Sequence, residues 1–173
     1  MSRRGMACAF SVAIAIGASR PALADDRASF SGSFHIVMAA PADRTTVLFD
    51  PIGETAWSPD WAPVFARAAD RATLPDGAVF TTLGHGERPT IWVLQRYDRA
   101  QHEIAYLTYA PDDTVVAIHI IVRDRTAGGS DAEVRYDLVA ASPAGDRFVR
   151  DFGAGFAHLQ PHWQHAIDAA LAR

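Results

Sequence analysis

The chain has 173 residues, 49% of them apolar and 21% charged. That is one domain's length, enough to bury a sizeable core without disulfides or metals. The net charge is −4 and no basic stripe runs along any segment, which excludes the electrostatic footprint of a nucleic-acid binder.

The first residues read as an export signal. Arg3 and Arg4 precede an almost wholly apolar run over 6–18, and Ala22-Leu23-Ala24 forms a small-x-small site before Asp25. The run is shorter than the roughly 20 residues that cross a bilayer. A signal peptide over 1–24, cleaved after Ala24, is therefore expected. It leaves a single domain over 25–173, periplasmic or secreted, with no stable membrane anchor. Removal of Arg3, Arg4 and Arg20 takes the net charge from −4 to −7. Cys8, the sole cysteine, leaves as well, and with it any disulfide, thiol nucleophile or thiolate ligand. Ser2-Arg3-Arg4 faintly resembles a twin-arginine signal, although Met6-Ala7 stands where that signal has Phe-Leu, so both export routes stay open.

Residues 30–38 alternate as a strand, with Phe30, Gly32, Phe34, Ile36 and Met38 on one face. Pro41-Ala42-Asp43 opens a short helix that Pro51 ends, and 52–57 suits another helical turn. Three prolines rule out a long helix over 58–76, so that segment reads as a structured loop turning Trp57, Trp61 and Phe65 inward. Strands are expected at 77–83, 90–97, 102–109, 114–123 and 131–140. Turn residues separate them, including Gly84-His85-Gly86-Glu87, Pro111-Asp112-Asp113 and Gly128-Gly129. Their short connections favour an antiparallel meander. Ser142 and Pro143 then open a long helix to about residue 172. Its apolar stripe runs through Phe148, Phe152, Phe156, Leu159, Trp163, Ile167 and Leu171. Pro161 lies inside this helix and should kink it, or cost about 3 kcal/mol.

This order defines an α+β fold. A curved antiparallel sheet grips one long C-terminal helix, with two short helices after the first strand: the helix-grip arrangement. A bent sheet cannot close completely against so long a helix, so a hollow is expected between them. The sequence resembles the START/SRPBCC superfamily, which includes polyketide cyclases and lipid-transfer domains, and within it small bacterial members. The resemblance rests on Leu48-Phe49-Asp50-Pro51-Ile52-Gly53-Glu54-Thr55-Ala56-Trp57 with Trp61 and Pro63. It continues in Gly77-Ala78-Val79-Phe80-Thr81-Thr82, Thr90-Ile91-Trp92-Val93, Tyr97-Asp98 and Trp163-Gln164-His165-Ala166-Ile167. It implies a pocket for an apolar or amphipathic small molecule and no cofactor. A signal peptide departs from the cytoplasmic habit of such members.

Trp57, Trp61, Phe80, Trp92, Tyr106, Phe152 and Phe156 are the candidate walls of that pocket. They suit plain core packing equally well, and a one-residue slip in strand parity would exchange inward and outward sets. Arg96 and His35 are candidate polar handles. Arg96 either pairs with an anionic ligand group or reaches solvent. His119 is expected to point outward. His158, His162 and His165 share one flank of the last helix, as a metal site, a pH-sensitive edge or a solvated face. No carboxylate completes a ligand set there, and no metal site is expected. There is no Gly-x-Ser-x-Gly turn and no phosphate loop, so catalytic residues are not assigned. Three functions remain: an exported binder of a hydrophobic small molecule or lipid; a cyclase- or hydrolase-like enzyme using His35, Arg96 or Tyr106 as proton carrier; and a partner-binding domain with a filled core.

Overall fold

The structure, a computed structural model, describes residues 26–83, 89–110 and 113–173. The expected leader and the turns at 84–87 and 111–112 lie outside them.

Seven strands form one antiparallel sheet: β1 (Ser29–Met38), β2 (Val64–Phe65), β3 (Ala78–Leu83), β4 (Pro89–Asp98), β5 (Glu103–Ala110), β6 (Thr114–Asp124) and β7 (Ser130–Ala140). Their order is β1-β7-β6-β5-β4-β3-β2. The meander from β3 to β7 is as expected, and β1 closes on its far side by pairing with β7. Between β1 and β2 lie α1 (Ala42–Thr45), a 3-10 turn (Thr46–Phe49) and a second 3-10 turn (Gly53–Ala56). The segment expected to be only a loop contains β2 and α2 (Ala68–Thr73). Both are too short for periodicity to reveal, and Pro63 and Pro75 stand just outside them.

The inner face carries Phe34, Ile36 and Met38 of β1, Val134 and Leu138 of β7, Ile118, Ile120 and Val122 of β6, Ile104 and Tyr106 of β5, and Phe80 of β3, all buried. β1, β6 and β7 keep the expected alternation throughout. β4 does not. A bulge between Leu94 and Arg96 inserts one residue, so that Leu94 faces Tyr106 while Arg96, not Gln95, faces Ala105. The bulge reverses parity: Trp92 and Leu94 point inward before it, and Tyr97 does so after it.

The C-terminal helix is built from α3 (Pro143–Gly155), one 3-10 turn (Phe156–His158) and α4 (Leu159–Leu171). Ser142 caps it by accepting from the Ala144 and Gly145 N–H groups at 3.1 Å. Pro161 is the third residue of α4, in a first turn where a missing N–H breaks no helical bond. The helix therefore bends through a tighter turn ahead of the proline instead of breaking at it. Val149 and Ile167 are buried, whereas Phe148 and Leu171, at the two ends of the expected stripe, are exposed.

Candidate functional site

Four consecutive residues, 48–51, each accept a hydrogen bond from an interior aromatic. The Leu48 carbonyl accepts from Trp57 Nε1 (2.7 Å) and the Phe49 carbonyl from Tyr106 Oη (2.8 Å). The Asp50 carboxylate accepts from Tyr97 Oη (2.8 Å) and the Pro51 carbonyl from Trp61 Nε1 (2.8 Å). The other Asp50 oxygen accepts the backbone N–H groups of Ile52 (2.9 Å) and Gly53 (2.7 Å), which folds the following turn. Gly53 is required there, because a Cβ at that position would meet the Val47 carbonyl oxygen at 1.7 Å. The effect of this network is to fix the polar tips of the tryptophans and tyrosines and to leave their ring faces turned to the interior.

Those faces form two groups. Beside β3 and β4, Trp61 and Trp92 meet edge to face at 4.9 Å, and Phe80 stacks on Trp92 at 5.7 Å and meets Tyr106 at 6.2 Å. Trp92 Nε1 donates to Thr82 at 2.9 Å. Beside the helix, Trp163 lies 4.9 Å from Trp57, 5.4 Å from Phe34 and 6.4 Å from Tyr136. Phe152 and Phe156 complete that group through Phe30 and Tyr136. Of the seven aromatics proposed from sequence, Trp57, Phe80 and Tyr106 thus lie in the core, and Trp61, Trp92, Phe152 and Phe156 are partly buried against it.

Glu54 belongs with neither group and acts on both. Its charge raises the proton affinity of Tyr106 in the first and of Tyr136 in the second, each already raised by burial. Burial, and secondarily the Asp50 charge, pushes the Glu54 carboxyl itself up from 4.5 to about 8. Neither the Glu54 carboxyl nor the Tyr136 hydroxyl has a hydrogen-bond partner among the described residues. Yet among those residues no enclosed side-chain polar atom is left unsatisfied. Both residues are ringed by protein and keep a fraction of accessible surface. Their polar atoms therefore keep some accessible surface.

The two proposed handles lie elsewhere. Arg96 is turned outward by the bulge and is held there by Glu103 (2.6 Å) and Asp98 (2.8 Å). His35 alternates outward between Phe34 and Ile36, with Nδ1 3.0 Å from Asp131. Neither reaches the interior. His119 also points outward, 2.8 Å from Glu103. His158, His162 and His165 are exposed on the helix flank. An open groove of about 740 Å³ lies beside the turn between β4 and β5, lined by Arg96, Gln101, His102, Glu103, Arg123 and Asp124 among others, and shares no residue with the two aromatic groups. Its charged groups are already engaged, Arg96 by Glu103, Arg123 by Glu133, His102 by Asp43 and Asp124 by the Ala42 N–H, which gives a ligand little to bind.

Sequence reasoning missed Asp50, Glu54 and Tyr97 as site residues, although all three stood inside the segments that carried the family resemblance. The Gly-Glu-x-x-Trp spacing was the available signal: one 3-10 turn puts a carboxyl beside an inward tryptophan.

No protein-family profile matches the chain, and no curated protein is detectably similar to it. Solved structures do match. Ara h 8.0201 superposes with a TM-score of 0.61 at 12% identity, over 84% of this chain and 100% of that one. Norcoclaurine synthase from Thalictrum flavum gives 0.58 at 9%, over 91% and 98%. Zhui aromatase/cyclase from Streptomyces sp. R1128 gives 0.54 at 18%, over 80% and 94%. At these identities the likeness shows the fold, and the fold is helix-grip.

Proposed function

We propose that this chain is an exported member of the START/SRPBCC superfamily that buries an apolar or amphipathic small molecule between its sheet and its C-terminal helix. The observation that carries this reading is the pair Glu54 and Tyr136. Two half-buried polar groups, without partners among the described residues and not sealed, suit a site whose remaining hydrogen bonds come from a ligand. The charged start, short apolar run and Ala22-Leu23-Ala24 site support export. Native mass spectrometry of the protein recovered from its host's periplasm tests both parts. A stoichiometric adduct of lipid or metabolite size on a chain beginning at Asp25 is expected. A bare protein that also fails to bind apolar dyes would remove the carrier reading.

One observation favours an enzyme as the second reading. A carboxyl held protonated near neutrality, coupled to Tyr106 and Tyr136, has the character of a general acid. His35 and Arg96 point away from the interior, and Tyr106 is engaged by the Phe49 carbonyl, so Glu54 takes the place of all three as candidate proton carrier.

A further inference from the structure

Among the described residues, Asp50 and Glu54 have no cationic side chain paired with them. Asp50 is buried, Glu54 faces it, and every arginine among the described residues is exposed. Asp50 is satisfied by Tyr97 and two backbone N–H groups. Glu54 is satisfied by none. Trp57 lies three residues on from Glu54 in the same 3-10 turn, a spacing that puts the two side chains on one face, and it packs against Trp163, which in turn meets Tyr136 and Phe34. Ring faces attract cations and do nothing for anions. The Tyr136 oxygen, with no partner of its own, can accept a proton-bearing nitrogen.

Resting on the reading that this interior takes a ligand, we infer that the ligand's polar end is a protonated amine, seated between the Glu54 carboxylate and the Tyr136 hydroxyl with the Trp57 and Trp163 rings beside it. An ammonium group has three donors and one charge. It supplies Glu54 with the hydrogen bonds and countercharge that the protein withholds, while the rest of the ligand lies among Phe34, Phe152 and Phe156. An anionic ligand would meet two carboxylates at the same place, and a neutral one would leave the carboxylate charge unbalanced.

The pH dependence follows from Glu54. Its charge couples to Asp50 of the adjoining turn, Tyr106 of β5 and Tyr136 of β7, with Tyr97 of β4 reached through Asp50. Arg99 lies beyond Tyr97, and Arg173 binds the Ala56 carbonyl at the surface of the same turn (2.7 Å). The tyrosines keep their protons throughout the working range. An amine must therefore displace the Glu54 proton below about pH 8 and need not do so above it.

Three probes of matched size separate the possibilities in calorimetric or tryptophan-fluorescence titrations of the purified protein: 2-phenylethylammonium, 2-phenylethanol and phenylacetate. The amine should bind about tenfold or more tighter than the alcohol at pH 8.5, with phenylacetate weakest. Its advantage should shrink several-fold at pH 6.5. In Glu54→Gln the amine-to-alcohol ratio should fall close to one. Should that variant fail to fold, the pH series on the unaltered protein decides the matter alone. Equal binding of amine and alcohol, or a preference indifferent to pH, overturns the amine assignment and leaves the ligand cavity standing. Failure of all three probes overturns the cavity as well.

Discussion

Tyr97 Oη donates to Asp50 Oδ2 at 2.8 Å, across 47 residues of sequence, and only the bulge between Leu94 and Arg96 brings it inward to do so. Without the extra residue Arg96 would face the interior and Tyr97 the solvent. The bond ties the middle of the sheet to the turn that carries Glu54. Tyr97→Phe should therefore destabilise the protein by about 1–2 kcal/mol, as expected for a partly buried hydrogen bond to a charged acceptor. Urea unfolding with an unchanged m-value measures it. The loss should be constant from pH 5 to 9, because burial and the Asp50 charge keep the Tyr97 proton in place well beyond that range.

The turn itself rests on Gly53. A Cβ there meets backbone at 1.7 Å, and the Val47 carbonyl cannot swing aside as a flexible side chain would. Gly53→Ala should cost about 3 kcal/mol or more, and should loosen the Trp57 and Trp61 environments seen in near-ultraviolet circular dichroism. Gly155 supplies the contrast. It has an ordinary backbone angle (φ −88°) and nothing within 4 Å of its added Cβ. Gly155→Ala should stabilise by roughly 0.5–1 kcal/mol. Thermal unfolding of the two variants side by side should shift in opposite directions.

The same two stretches show how far the sequence can be read. Alternation in β1, β6 and β7 and the three-to-four spacing of Phe152, Phe156, Leu159, Trp163 and Ile167 state the architecture openly, since each pattern repeats over several residues. A bulge is a single inserted residue with no compositional mark, so the inward turn of Tyr97 and the outward turn of Arg96 were hidden. β2 and α2 were hidden because two and six residues hold too little period to detect. Glu54 was hidden for another reason. Its importance comes from tyrosines on β5 and β7, some 50 and 80 residues along the chain, and only the folded sheet brings them round it.

Pro161 tests how the helix accommodates a residue that its pattern seems to forbid. In a continuous helix interior it would cost about 3 kcal/mol, and replacing it would recover that amount. Here it occupies the first turn of α4 behind a 3-10 turn, so its missing N–H costs nothing helical. Pro161→Ala should change stability by less than about 1 kcal/mol by chemical denaturation. A gain near 3 kcal/mol would mean that the proline strains the helix after all.

Glu54 makes a prediction of unusual sign. Its carboxyl titrates near 8 in the fold against 4.5 in the unfolded chain. The folded state thus holds the extra proton between those values. Below about pH 4.5 both states are protonated and Glu54 adds no penalty. As pH rises from there toward 8 the unfolded chain ionises first, and stability falls with a slope approaching 1.4 kcal/mol per unit. Above about 8 both states are ionised and the loss levels off. Asp137, Asp146 and Glu103 act oppositely and lower down: their hydrogen-bonded partners hold their carboxyls below the usual range, so their contribution disappears only as the solution becomes acid. Urea unfolding at pH 5, 6.5, 8 and 9.5 should show the decline, and Glu54→Gln, which cannot ionise, should flatten it. A decline of the same steepness in that variant would assign the pH dependence to other groups and remove Glu54 from its place at the centre of the site.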